Sequence, residues 1–247
     1  MEEFSKIEIN ETQPRLLFKV ILMRHEETDY EAGGGHLTGG GVEKAVKTGE
    51  NLKKDKFFSD ENPILLFHSP LLRTEETLDA VAKGARVPAE NKRKSTAMRG
   101  SKIANLEAFL RRKKELGSTQ EAVAKDYHEG ESHPEIIEPP EKSKERLYRA
   151  MEYLIRSIMK NVDESKNTSP QIFAVSHFEI ITHLIDDVFG IENIGKYDSP
   201  SFGEQVKISA FQTENRDEVL LDIEFRNLRK KVIFNRKTRM IGQITKK

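Results

Sequence analysis

Arg24-His25, Ser69-Pro70 with Arg73, and Ser176-His177 each follow a short apolar segment. Together they hold the side chains that a phosphoryl group calls for. A phosphate monoester is close to a dianion at neutral pH. Arginine forks match its oxygens bidentately and stay charged, so Arg24 and Arg73 are suited to grip the group and stabilise its equatorial charge. A neutral imidazole is a competent nucleophile toward phosphorus, because little energy is needed to deprotonate it. A second imidazole, protonated beside the dianion, can donate a hydrogen bond to a phosphoryl oxygen. A carboxylic acid must then protonate the leaving oxygen and later activate water. No metal is required by this scheme, and neither an HExxH run nor cysteine-based metal spacing occurs. A lone strand-end histidine is more often packed than catalytic, and a lone arginine in a helix first turn is usually a surface charge. The combination carries the signal.

The elements that must position these residues are read from periodicity. Residues 16–23, 64–67 and 171–175 are short apolar runs rich in β-formers, predicted to be buried strands. Apolar spacing predicts helices over 42–54 (with Thr38 a plausible N-cap), 71–83 (closed by Gly84), 145–162 and 179–189. The glycine triplets 33–35 and 39–41 mark a loop. Residues 102–128 read as one or two charged helices with a break at Gly117-Ser118, 131–142 as a loop, and 87–99 is ambiguous. The tail holds three expected strands, 205–211, 219–225 and 231–234. Strand and helix alternate through most of the chain, which argues for an α/β fold, a largely parallel sheet covered on both faces. Ligands in such sheets sit beyond the carboxyl ends of the strands, where the histidines and arginines fall.

The chain has 247 residues, 36% hydrophobic and 33% charged, which suits one large α/β domain. Lys+Arg and Asp+Glu are both 41, so no global field points to nucleic acid or an anionic membrane, and any anion site must be local. The basic runs Lys92-Arg93-Lys94 and Arg111-Arg112-Lys113-Lys114 are read as solvated faces or as the rim of a site for a highly anionic substrate. There is no cysteine, which excludes disulfides, thiolate metal sites and cysteine nucleophiles. Residues 1–15 are polar and acidic without an apolar h-region, and no apolar run approaches the roughly 18 residues of a membrane helix. A cytoplasmic, non-membrane protein is expected.

Leu22-Met23-Arg24-His25-Glu26-Glu27-Thr28 resembles the RHG signature of the histidine phosphatase superfamily, the phosphoglycerate mutase-like proteins. The segments 37–45, 69–77 and Val175-Ser176-His177-Phe178 are similar to its LTxxGxxQA, SPLxRAxQT and VSHG motifs, in family order. The resemblance implies a three-layer α/β/α sandwich with a mostly parallel sheet, in one domain over 1–247 with a helical lid or insertion at about 87–142. It implies a phosphohistidine mechanism without a cofactor, with His25 as nucleophile and Arg24, Arg73 and His177 forming the phosphate pocket. It points to Glu107 as the proton donor and to Glu179 as the reserve, since a related branch places its acid beside the second histidine.

The sequence also departs from the family. Glu26 and Phe178 replace the glycines after the two histidines, Glu43 and Glu76 replace glutamines, and Glu31 stands where mutases usually carry asparagine. These changes weaken the case for a sugar-phosphate mutase. The expected function is hydrolysis of a phosphorylated small molecule or phosphoprotein. A phosphomutase and a catalytically silent phosphate-binding or interaction module stay as alternatives.

Overall fold

The computed structural model describes residues 14–29, 35–117, 133–161, 168–190 and 199–244. Its first strand, β1 (Leu16–Arg24), shows how the sequence builds a layered fold. Side chains alternate along a strand. Phe18, Val20 and Leu22 therefore join one apolar cluster, while Ile21 and Met23 join another on the opposite face. The next parallel strand obeys the same rule. In β6 (Gln171–Ser176), Ile172 and Ala174 face the first cluster and Phe173 and Val175 the second. Both strands are apolar along most of their length because both of their faces are covered.

Among the described residues the sheet has eight strands. Beside β1 and β6 lie β4 (Ile64–His68) and the two-residue edge strand β5 (Arg93–Lys94), all parallel. On the other side of β1 the sheet continues antiparallel through β7 (Gln205–Gln212), β8 (Glu218–Phe225), β9 (Leu228–Asn235) and β10 (Met240–Gln243). The sheet is thus mixed, with the parallel half formed where strands and helices alternate in sequence. A separate small ribbon pairs β2 (Thr28–Asp29) with β3 (His36–Leu37).

Helices α1 (Gly39–Lys54) and α2 (Leu72–Ala85) cover one face, and α4 (Pro140–Asn161) and α5 (Phe178–Phe189) cover the other. Helix α3 (Leu106–Leu116) lies in the segment between β5 and α4 and ends at Gly117 in the left-handed region, where a break was expected. Residues 118–128, the rest of that predicted charged helical region, lie outside the described residues. Among the described residues no helix is long and apolar enough to cross a membrane.

Three local expectations are corrected. Gly39-Gly40-Gly41 is not loop but the first turn of α1, capped by the Thr38 hydroxyl, which accepts from Gly41 N at 3.0 Å. Glycine is required at 41 because a Cβ there would lie 2.6 Å from the Glu27 carbonyl oxygen. Gly84 does not close α2. The helix runs on to Ala85 and stops at Arg86, which is left-handed. Helix α4 begins at Pro140, inside the expected loop, where a proline at the first helical position loses no hydrogen bond.

Gly84 instead permits a close crossing of α1 and α2. A Cβ on Gly84 would stand 2.0 Å from the Val46 carbonyl oxygen, and one on Gly49 would stand 2.0 Å from the Val81 carbonyl oxygen. Backbone cannot yield as a side chain would. Gly49→Ala should therefore destabilise the fold by about 3 kcal/mol in denaturant titration, despite alanine's better helix propensity. Gly39→Ala, in the same helix with open space around it, is the control and should be neutral or mildly stabilising. Equal stability for both variants would refute the close-crossing account.

Candidate active site

The carboxyl end of β1 places Arg24 and His25 at the rim of the parallel strands. Arg24 N donates to Glu204 O and His25 N to Ser176 O, both at 3.0 Å, so this turn is held from both neighbouring strands. His25 is 2% exposed. Its Nδ1 lies 2.8 Å from Glu26 O, which also accepts from the Thr28 hydroxyl at 3.0 Å. That carbonyl can only accept, so Nδ1 carries the proton and Nε2 keeps its lone pair. Burial first, then the charges of Arg73 and Arg24, hold the imidazole well below its ordinary range, at about 3. His25 is a neutral base at neutral pH.

Arg73 sits in the first turn of α2 and links the two histidines. Its Nε donates to His25 Nε2 at 3.0 Å, and its Nη2 lies 3.4 Å from His177 Nδ1. The turn before it is tied by hydroxyls. Ser69 Oγ accepts from Leu71 N at 3.2 Å and lies 2.9 Å from Thr74 Oγ1, which donates to Leu71 O at 2.6 Å. Ser69 Oγ also lies 2.8 Å from His177 Nε2. With Arg73 donating to Nδ1, His177 carries its proton on Nε2 and donates to Ser69.

His177 is the N-cap of α5 and follows β6 directly, so the partial positive charge of a helix N-terminus adds to the cationic surroundings. Burial, followed by Arg73, His25 and Arg24, keeps it well below the usual histidine value. The two imidazole rings lie 5.2 Å apart, nearly edge to face.

Arg24 is held rather than free. Its Nη1 donates to Pro200 O at 2.6 Å, and its guanidinium carbon lies 4.0 Å from the Phe202 ring centre and 5.2 Å from that of Phe178. Phe202 also lies against His25, with ring centres 5.5 Å apart. Two aromatic faces thus fix a buried cation. A desolvated cation–π contact contributes roughly 1–2 kcal/mol. Phe202→Ala should accordingly weaken competitive inhibition by inorganic phosphate about tenfold with little loss of fold stability. An unchanged inhibition constant would deny Phe202 that role.

The carboxylates fall in three different places. The structure does not bring Glu107 to the cluster. Its side chain is 88% exposed on the outer surface of α3, where it accepts from Arg111 one turn on at 3.2 Å. Glu179, in the first turn of α5, is turned inward. One of its oxygens is sealed from solvent without a hydrogen-bond partner. Burial pushes its carboxyl up, opposed by Arg73, Arg24 and Arg146, whose charges reach it. Gly100 makes room for it, since a Cβ at 100 would lie 3.0 Å from Glu179 Oε1. Glu26 is buried beneath Gly203, where a Cβ would meet its Oε1 at 2.2 Å, and burial raises its carboxyl as well. Gly203 is left-handed in addition, so glycine is required there twice over.

The other departures from the family pattern also have positions. Glu76 receives Leu37 N at 2.8 Å and lies 2.6 Å from His36 Nδ1, fastening β3 to α2. Phe178 packs with Phe109 of α3 and Ile137, and so ties the segment between β5 and α4 to the rim. Glu43 is exposed on α1, while Glu31 lies outside the described residues. Sequence reasoning assigned no role to Ser69, Pro200, Phe202 or Gly100. Ser69 stood inside a recognised motif, whereas the others lie in segments without periodicity. Among the described residues there is no group of three or more histidine or acidic side chains placed to hold a metal ion.

The sheet order and the helices on both of its faces define a phosphoglycerate mutase-like α/β fold. Residues 20–224 match the model of the histidine phosphatase superfamily, branch 1, and the chain belongs to that superfamily. No curated protein matches it significantly in sequence. Solved structures share its fold at low identity. "Mycobacterial hydrolase 2" matches with a TM-score of 0.62 at 16% identity, over 87% of this chain and 92% of that one. A mycobacterial glucosyl-3-phosphoglycerate phosphatase matches with a TM-score of 0.61 at 16% identity, over 85% and 98%. The alpha-ribazole phosphatase from Shigella flexneri matches with a TM-score of 0.51 at 17% identity, over 91% and 98%.

Proposed function

We propose that the chain is a phosphatase that hydrolyses phosphomonoesters through a phosphohistidine on His25, with Glu179 as the acid. The observation that carries this reading is the Arg73 side chain bonded to both imidazoles, one of them with its Nε2 lone pair directed at the guanidinium. An anion entering between these groups would exchange the Arg73–His25 bond for contacts to its own oxygens, leaving Nε2 free to approach phosphorus. The superfamily assignment supports the reading, and so does the mycobacterial phosphatase neighbour, whose structures include complexes with vanadate and inorganic phosphate.

The bonds balance as follows. His25 Nε2 attacks phosphorus while the ester P–O bond breaks, and the protonated Glu179 gives its proton to the leaving oxygen. Arg24 and Arg73 hold the equatorial oxygens through the transition state, joined by His177 once the bound dianion has protonated its Nδ1. Water, deprotonated by the Glu179 carboxylate, then attacks phosphorus. The P–N bond breaks, which restores the neutral imidazole and releases inorganic phosphate. The substrate is a phosphorylated small molecule or phosphoprotein, and catalysis uses no metal.

Mixing the protein with p-nitrophenyl phosphate and quenching in base should trap a phosphoryl group on the peptide that contains His25, read by mass spectrometry. Turnover with no adduct at His25 would overturn the mechanism. Binding of phosphate with no turnover of any ester would favour a silent module instead. Supplying an acceptor alcohol in the same assay separates hydrolysis from transfer, and phosphatase activity predicts free phosphate as the dominant product.

A further inference from the structure

On the face of the sheet covered by α4 lies a cavity of about 720 Å³, whose lining shares no residue with the histidine–arginine cluster. That is within the range of sites for small organic ligands. Its floor is apolar, built by Val20 and Leu22 of β1 and Leu65 and Phe67 of β4, and its wall by Met151 and Leu154 of α4. The opening follows from the topology. Edge strand β5 is only two residues long, so the outer flank of β4 is left without a full neighbour. Val20, Leu65, Phe67 and Leu154 consequently stay partly exposed while packing on the core. Tyr153, 69% exposed, stands at the edge of the opening.

The same short strand supplies charge. Arg93 and Lys94 both line the cavity and are exposed. Neither forms an ion pair with a described residue, whereas the adjacent Lys92 is engaged by Glu75 at 3.0 Å and Asp79 at 2.6 Å. An apolar chamber bordered by two uncommitted cations suits a ligand with an apolar tail and an anionic head, the tail displacing water from the aliphatic walls and the head meeting the cations at the rim. We propose that this cavity is a binding site for a single-chain anionic amphiphile of the fatty-acid class. It is separate from the phosphate cluster, and the proposal does not rest on the chain's being a phosphatase.

The test is calorimetric titration of the full chain with decanoate, in the presence and absence of saturating inorganic phosphate. Decanoate should bind saturably at one site, unaffected by phosphate. Ala150→Trp, which places an indole into the cavity from α4, should weaken binding by at least about tenfold. Arg93→Glu combined with Lys94→Glu, at exposed positions where folding is not at risk, should weaken decanoate by about tenfold but change decanol less than about twofold. Hydrolysis of p-nitrophenyl phosphate should stay at the wild-type level in both variants. Absence of saturable binding, competition by phosphate, or wild-type affinity in both variants would overturn the site. Weakening by Ala150→Trp alone would overturn the anionic head.

Discussion

His25→Ala should lower hydrolysis of p-nitrophenyl phosphate by on the order of 10⁵-fold, the scale seen when a covalent nucleophile is removed. The structure gives the reason for so large a loss. In the proposed mechanism His25 supplies the reacting lone pair, and the neighbouring imidazole of His177 cannot replace it. His177 already has its Nε2 directed at Ser69 and its Nδ1 facing Arg73. The variant should keep its fold, because the strand end is held by backbone bonds from His25 N to Ser176 O and from Arg24 N to Glu204 O, which alanine retains. It should also keep measurable affinity for inorganic phosphate through Arg24 and Arg73. Residual turnover above about 1% of wild type, or a phosphoryl adduct on another residue, would sink the assignment.

Glu179→Gln should show a leaving-group dependence. A general acid contributes about 10²–10⁴-fold where the departing oxygen needs a proton. Hydrolysis of an alkyl phosphate should therefore fall by about 10³-fold, and that of p-nitrophenyl phosphate, whose phenolate leaves unaided, by far less. Glu107→Gln should match wild type on both. The pH profile is a second readout. Burial raises the Glu179 carboxyl, so its protonated form persists above the ordinary carboxylate range, and wild-type rates on alkyl phosphates should decline as pH rises through that raised value. The glutamine variant should lack this limb.

Stability should move the other way. A raised native-state carboxyl means that the folded protein binds more protons than the unfolded chain, so wild-type stability is full below the unfolded value and falls as pH rises past it. Glu179→Gln should therefore melt higher than wild type at pH 7, with the difference closing in acid. A variant less stable at every pH, with equal losses on both substrates, would make Glu179 a structural residue only.

The parts of the fold set by short-range rules were legible in the sequence. Strands β1, β4 and β6 read as apolar runs because both of their faces are buried, and the residues that follow them must then share one rim. The charged alternation of β9 and the brevity of β10 carried less signal. The predicted strand at 231–234 was only the buried end of Leu228–Asn235, and β10 went unseen. Pro139-Pro140 was taken for loop although a proline is at home in the first turn of a helix.

Within the site, His25, Arg24, Arg73 and His177 could be named because each follows a readable element. The acid could not be placed by the same logic. Glu107 and Glu179 both lie in the first turn of a helix, and only tertiary packing turns one outward to Arg111 and the other inward over Gly100. Pro200, Phe202 and Gly203 belong to the stretch between α5 and β7. Their use depends on which strand pairs with β1, a non-local fact.

That pairing has a consequence for how the protein comes to life on the ribosome. Arg24 is made early, yet its guanidinium is seated by Pro200 and Phe202, and its amide by Glu204. A nascent chain that has already emitted every motif through His177 still lacks this clamp. The candidate site should therefore be complete only after β7 has emerged and closed on β1, so that truncated translation products ending near residue 190 should carry the signature motifs yet be inert.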